Sequence, residues 1–293
     1  MSSNLPHLGM IGLGLMGRPM AVNLNAAGYR VFIHNRSRQV VDELAEAGLR
    51  ACASPAEVAG RAEIIILMLT DTDAVDKVLS GRFGILQTIT RDQVLMDMGT
   101  TDVLSTRRFA DRVRKRGARY VDAPVSGGQV GASEAALSIM VGAARADLER
   151  VRPVLEVLGR NITHVGEVGA GQVAKTANQV IVGLSIGAVA EAFNLARCCG
   201  VDPARLRQAL AGGFASSRVL ELHGQRMIDE CFEPGGRSTT QCKDLRQALE
   251  LAVKVGARMP ATQLNLELFE ELVRRGLGDR DHSALIKVFE AGG

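Results

Sequence analysis

Up to about residue 165 the sequence alternates short apolar runs with helix-period stretches, and after Gly171 no strand pattern returns. No other feature constrains the fold as strongly as this change of period. The strand-sized runs are Leu8–Ile11, Arg30–Ile33, Glu63–Leu67, Val94–Met96, Arg119–Val121, Leu137–Val141 and Ile162–Val165. Between them lie Met16–Ala27, Val40–Ala47, Val103–Arg116 and Arg145–Leu158, and Gly28, Gly48, Gly117 and Gly159 stand where left-handed helix caps are expected. Strands alternating with helices predict βαβ units in a doubly wound, mostly parallel sheet. The remainder predicts helices only, over Gln172–Cys199, Pro203–Ala211, Ser217–Ile228, Cys242–Val255, Ala261–Arg275 and His282–Glu290. The expected fold is therefore α/β, with one sheet domain over 1–166 and one all-α domain over 167–293. The long first helix of the second domain is apolar nearly all round, which marks it as a buried spine or the seam of a dimer.

Composition removes several function classes. Apolar residues make up 46% of the 293 and charged residues 23%, which describes a folded globular chain. Basic and acidic residues nearly balance, 35 against 32, and the densest basic stretch, Arg112 to Arg119, reads as a solvated helix end. With 3% aromatics and no Trp there is no stacking platform for single-stranded nucleic acid. The five cysteines form no CxxC pair, so reduced thiols and a cytoplasmic setting are expected; the vicinal Cys198-Cys199 reads as small apolar filler at a helix end. Met1 to His7 lacks the charged and apolar regions of a signal peptide, and the longest purely apolar run, Ile64 to Leu69, is too short to span a bilayer. No membrane or nucleic-acid partner is expected. The five histidines show no helical i, i+4 spacing, so no metal is expected either.

Gly12-Leu13-Gly14-Leu15-Met16-Gly17 follows the first strand and opens the first helix. The first glycine permits the tight turn, the second lets backbone approach a pyrophosphate, and the third allows close helix–strand packing. The helix start then offers free N–H groups and partial positive charge to the anion. In this strand–turn–helix setting the motif predicts a Rossmann-type dinucleotide site. Leu69, closing the Ile64–Leu69 run, is counted with the cofactor residues. An NAD site usually carries Asp or Glu about 20 residues beyond the glycines. This chain instead reads His34-Asn35-Arg36-Ser37-Arg38. A carboxylate would repel a 2′-phosphate, whereas Arg36 grips one with a planar fork and Ser37 adds a hydroxyl. NADP(H) is therefore the expected cofactor, with NAD(H) second.

Two further strings carry chemistry. Asp122-Ala-Pro-Val-Ser126-Gly127-Gly128 closes a strand with a hydroxyl and paired glycine N–H groups, a natural nest for a carboxylate. Gly169-Ala-Gly-Gln-Val-Ala-Lys175-Thr-Ala-Asn178-Gln179 enters the long apolar helix. Helical spacing puts Lys175, Asn178 and Gln179 on one face, where a desolvated amine is expected to have a lowered pKa suited to proton transfer.

Together these three strings resemble the β-hydroxyacid dehydrogenase family, from Gly9 to Asp281-His-Ser-Ala-Leu285. The resemblance implies nicotinamide-dependent interconversion of a short 3-hydroxy acid and its semialdehyde. It implies Lys175 as general acid and base, Ser126, Gly127 and Gly128 on the substrate carboxylate, and Asn178 ordering the substrate, with Gln179 beside it. It places Thr100 near the nicotinamide and its ribose, and Lys243 towards cofactor or substrate. Two positions depart from many relatives: Gln179 stands where some carry Asn, and Gly99 where many carry Ser. The strings Ala174–Ile181, Ala211–Ser217 and Asp281–Leu285 are most similar to the tartronate semialdehyde (2-hydroxy-3-oxopropionate) reductases of the family. The alternative is a 3-hydroxyisobutyrate dehydrogenase or another short β-hydroxy acid dehydrogenase. A non-catalytic NADPH-binding module is the rival of another class, and the joint presence of Ser126, Lys175 and Asn178 argues against it. The loop Phe214–Arg218 is expected at the variable end of the substrate, or as simple helix capping by its serines. A homodimer or homotetramer is expected.

Overall fold

The computed structural model describes residues 5–290. The chain divides into two compact units, Met1–Lys175 and Thr176–Gly293. In the first, elements run β1 Leu8–Ile11, α1 Gly17–Ala26, β2 Val31–His34, α2 Arg38–Glu46, β3 Arg50–Ala51, α3 Pro55–Ala59, β4 Ile64–Leu67 and α4 Thr72–Ser80. They continue with β5 Val94–Asp97, α5 Val103–Arg114, β6 Arg119–Asp122, β7 Val125–Ser126, α6 Gly128–Ser133, β8 Leu137–Gly142, α7 Arg145–Leu158 and β9 Gly159–Gly166. Helix α8, Ala170–Cys198, starts in this unit and continues into the second, so the first unit runs past residue 166. The second unit adds α9 Pro203–Leu210, α10 Arg218–Ile228, α11 Ser238–Val255, α12 Pro260–Leu272 and, after a 3-10 turn, α13 Ile286–Phe289.

The strand order is β3-β2-β1-β4-β5-β6-β8-β7, with β9 paired to β8. Pairing is parallel from β3 through β6 and between β8 and β9, and antiparallel where β8 meets β6 and β7. The central strands are buried on both faces, so they read as continuous apolar runs. Alternate residues feed two cores. Met10, Ile33, Ile66, Met96 and Val121 pack with α1 and α7, while Ile11, Ile65, Leu67, Leu95 and Tyr120 pack with α3, α4 and α5. Each fully buried aliphatic side chain contributes roughly 1.5–3 kcal/mol relative to exposure. The chain leaves β1 to build β2 and β3 on one side, then returns to β4 on the other. That reversal opens a crevice at the carboxyl end of β1, where such sheets bind ligands.

Gly28, Gly48 and Gly117 adopt the left-handed φ expected of caps, +91°, +97° and +81°. Gly159 does not: at φ −153° it is extended and begins β9. It is small because a Cβ there would strike the Leu137 carbonyl oxygen.

The second unit has its own core, centred on Ile186, Phe193, Met227, Leu245, Phe269 and Leu285. Helix α8 is not buried all round. By length and composition it is apolar enough to cross a membrane, yet only 33% of its most apolar stretch is buried. Ile181 and Leu195 are 65% and 66% exposed. Cys198 and Cys199 are exposed at its end and fill no core.

Candidate active site

The glycine turn sits at the crevice of the sheet. Gly12 takes φ +97°, and a Cβ there would strike the Met68 carbonyl oxygen and lie 2.9 Å from Leu69. A Cβ on Gly17 would strike the Gly12 carbonyl oxygen. These two glycines are demanded by the turn itself. Gly14 is different: nothing lies within 4 Å of its would-be Cβ, and Leu15 beside it is 51% exposed. The Asn35 side chain accepts a hydrogen bond from Leu13 N at 3.1 Å and so fixes the turn to the end of β2. Helix α1 starts behind Met16 with no side-chain cap and no acid in its first turn. Uncapped N–H groups beside open space fit the pyrophosphate of a dinucleotide. Arg36 and Ser37 are exposed at the end of β2, and Ser37 makes no side-chain cap to α2; Arg38 is occupied by Asp42 at 2.8 Å.

Short strand β7 places Ser126, half-buried, just before the exposed Gly127 and Gly128, whose φ values are +133° and +62°. Lys175, 8% exposed, stands in the second turn of α8. The first turn is fixed by residues outside the expected site. Asp122 accepts from Gly169 N at 2.7 Å and from Gln172 N at 2.9 Å. Gln172 accepts from Thr101 N at 3.1 Å and donates to the Gly99 carbonyl at 2.8 Å. This holds the segment bearing Thr100, which is half-buried, against the start of α8. The sequence signal for Asp122 is an acid closing an apolar strand, which has no cheap place in a sheet unless it receives donors.

In the second unit a hydrogen-bonded chain runs from Asn178. Its amide donates to Gln179 Oε1 at 2.9 Å, and Gln179 Nε2 donates to Asp244 Oδ2 at 2.6 Å. Lys243 Nζ lies 3.0 Å from Asp244 Oδ1. Asp244, 3% exposed, is a second residue outside the expected set, although it follows Lys243 directly. In the Phe214–Arg218 loop, Ser217 caps α10 by accepting from Leu220 N at 3.0 Å, Arg218 pairs with Glu221, and Phe214 is fully exposed.

Sequence spacing hides one cluster. His223, Asp281 and His282 bring possible metal-ligand atoms within 4.8 Å of one another. Asp281, fully buried, already accepts from Gly235 N, Gly236 N, Ser283 N and Ser283 Oγ, and Arg226 lies 2.7 Å away. A guanidinium against a saturated carboxylate makes this a structural hub of the second unit.

Comparison with known proteins bears on both units. Residues 7–166 match the NAD binding domain of 6-phosphogluconate dehydrogenase, and residues 169–289 match the NAD-binding domain of NADP-dependent 3-hydroxyisobutyrate dehydrogenase. The chain is similar to 2-hydroxy-3-oxopropionate reductase of Escherichia coli, 45% identical with 97% of each chain covered. It is 36% identical to 2-(hydroxymethyl)glutarate dehydrogenase of Eubacterium barkeri, over 97% of this chain and 94% of the relative. Among solved structures, the 3-hydroxyisobutyrate dehydrogenase of Mycobacterium tuberculosis with L-serine superposes with a TM-score of 0.91 at 28% identity, covering 98% of this chain and 100% of the other.

Proposed function

This chain belongs to the β-hydroxyacid dehydrogenase family of nicotinamide-dependent oxidoreductases acting on hydroxyl groups, and from that premise we propose that it reduces 2-hydroxy-3-oxopropionate to the corresponding 3-hydroxy acid with NADPH. The observation that carries the reading is a buried lysine, 8% exposed, on a helix whose first turn is bonded to the Thr100 segment. The dinucleotide supplies or accepts the hydride when bound. Ser126 and the N–H groups of Gly127 and Gly128 bind the substrate carboxylate. Asn178, one turn beyond Lys175, orders the substrate, and its amide is oriented by Gln179 and Asp244. In reduction Lys175 gives a proton to the alkoxide oxygen as charge develops on it; in oxidation the neutral amine takes the hydroxyl proton. Gly12 to Gly17, Asn35 and Leu69 form the dinucleotide site, Arg36 with Ser37 takes the 2′-phosphate, and Lys243 is counted with the cofactor residues on the family resemblance alone.

A second substrate, 3-hydroxyisobutyrate, is favoured by the match over residues 169–289. The test is nicotinamide absorbance during reduction of 2-hydroxy-3-oxopropionate, with NADPH and NADH in parallel. Fast turnover with NADPH is expected. Absence of turnover with both, or faster oxidation of 3-hydroxyisobutyrate, overturns the substrate reading. We further propose a cytoplasmic homodimer or homotetramer in which the exposed apolar face of α8 meets another copy. Ile181→Arg is then expected to shift the light-scattering mass to that of a monomer, and an unchanged mass would refute the seam.

A further inference from the structure

Two aspartates share a register position at the carboxyl ends of neighbouring parallel strands: Asp97 of β5 is the partner of Asp122 of β6. Both are fully buried. A buried carboxylate persists only where donors replace its water. Asp97 accepts from Gly99 N at 3.1 Å, Thr101 Oγ1 at 3.2 Å and Tyr120 Oη at 3.2 Å. Asp122 takes the first-turn N–H groups of α8, 47 and 50 residues away in sequence. Gln172, fully buried, joins the two sets through Thr101 N and the Gly99 carbonyl. The fit is close. A Cβ on Gly142 would lie 2.5 Å from the Asp122 carboxylate, and one on Gly171 would lie 2.8 Å from it.

We infer that Asp122 and Gln172 are positioning residues, which set Lys175 in register with the Thr100 segment and thereby control the proton-transfer step. The inference rests on the role of Lys175 proposed above. Neither residue is assigned contact with substrate or cofactor. The ionised carboxylate accepts with both oxygens and complements the positive end of α8. Protonation turns one oxygen into a donor facing an N–H, so the first turn loosens. Burial pushes the Asp122 carboxyl up to about 6, against its backbone donors at Gly169, Gln172 and Gly171. The titratable or charged groups around this network are Asp97 on β5, Tyr120 on β6, Arg107 of α5 beside Gly169, and Lys175 farther along α8.

The test uses the full chain with two variants, Asp122→Asn and Gln172→Met. Wild-type kcat is expected to fall on acidification with an apparent pKa near 6. In Asp122→Asn that limb should vanish and kcat should drop at least tenfold, with NADPH affinity changed less than twofold. Amide hydrogen exchange over residues 167–175 should accelerate. Gln172→Met keeps the Asp122 acceptor but cuts the tie to the Thr100 segment, so kcat should fall while exchange in that turn stays near wild type. Faster exchange with kcat and the acid limb unchanged would make the network merely structural and overturn the inference. If Asp122→Asn does not fold, Gln172→Met decides: an unchanged kcat refutes. Exchange and NADPH affinity need no substrate. A wild-type protein that turns nothing over therefore sinks the proposed function, while unchanged exchange in Asp122→Asn sinks the positioning claim.

Discussion

Replacing Asp97 by Asn should stabilise this protein, and more so as pH rises. Burial pushes the Asp97 carboxyl up to about 7, opposed by its bonds from Gly99, Tyr120 and Thr101 and reinforced by the charge of Asp122. An unfolded Asp titrates near ~3.9. The folded state therefore holds a proton that the unfolded state has released across the window between those values. Stability must fall as pH rises wherever the folded state binds more protons. Linkage between pH 5 and pH 8 makes the contribution about 2–3 kcal/mol for this single group. The amide of Asn removes the titration and leaves only the Tyr120 O–H without its acceptor, a pH-independent cost of about 1–3 kcal/mol that is smaller than the linkage gain at pH 8. Its oxygen accepts from Gly99 N, and its NH2 donates to the Thr101 and Tyr120 hydroxyl oxygens, which serve as acceptors equally well. The chain has no Trp, so unfolding in urea is followed by circular dichroism at pH 5, 6, 7 and 8. The variant should gain about 2–3 kcal/mol on the wild type from pH 5 to pH 8, and the pH-dependent part of the difference vanishes only below the unfolded value near ~3.9. A difference independent of pH, or a variant that loses ground as pH rises, refutes the reasoning.

Other outcomes follow from the same geometry. Lys175→Ala should lower turnover by about 10²–10⁴-fold while NADPH still binds; near-normal turnover would remove Lys175 as the acid and base. Arg36→Ala should cut the preference for NADPH over NADH by about ten- to a hundredfold, the worth of a charge-assisted contact to phosphate, and parallel KM measurements that find the ratio unmoved would reject the 2′-phosphate site. Asp281→Ala strands Arg226 and four N–H or O–H donors in the second unit, and should cost about 3–5 kcal/mol. Burial alone would push Asp281 up, but His223, the His282 charge and Ser283 hold it well below the usual carboxylate range. Its stabilisation is therefore full above about pH 4 and is lost as pH falls below that. Urea unfolding should show the gap between wild type and variant closing only in acid, and a gap already closing between pH 8 and pH 5 would contradict this.

The change from alternating to purely helical pattern was readable in the chain because buried parallel strands are continuous apolar runs and capped helices are not. Helices α3 and α4 escaped that reading although their signals are present. Ser54 and Asp71 cap them by accepting from Glu57 N and Ala74 N. Both helices are short, and their few apolar residues are too sparse to set a period. Strands β3 and β7 are two residues each and leave no alternation to detect. Among candidate site residues, Lys175, Asn178 and the glycine turn announce themselves by type and spacing. Asp122 and Asp244 do not. What distinguishes them is the donors they meet, brought from 47 and 65 residues away, and such partnerships exist only once the chain has folded. His223 and His282, 59 residues apart, are hidden for the same reason.

The close packing around Asp122 also constrains which substitutions the lineage of this chain can accept. The space that a methyl group on Gly142 or Gly171 would need is filled by the carboxylate and by backbone: Gly171 N lies 2.7 Å from a Cβ on Gly142, and the Met140 carbonyl oxygen 2.4 Å from one on Gly171. Backbone cannot step aside as a side chain can, so neither glycine can grow whether or not the acid is present. Glycine should therefore persist at 142 and 171 among relatives, including any that lack the acid at 122. An alanine at 142 or 171 should be rejected even in a background that has lost the acid at 122.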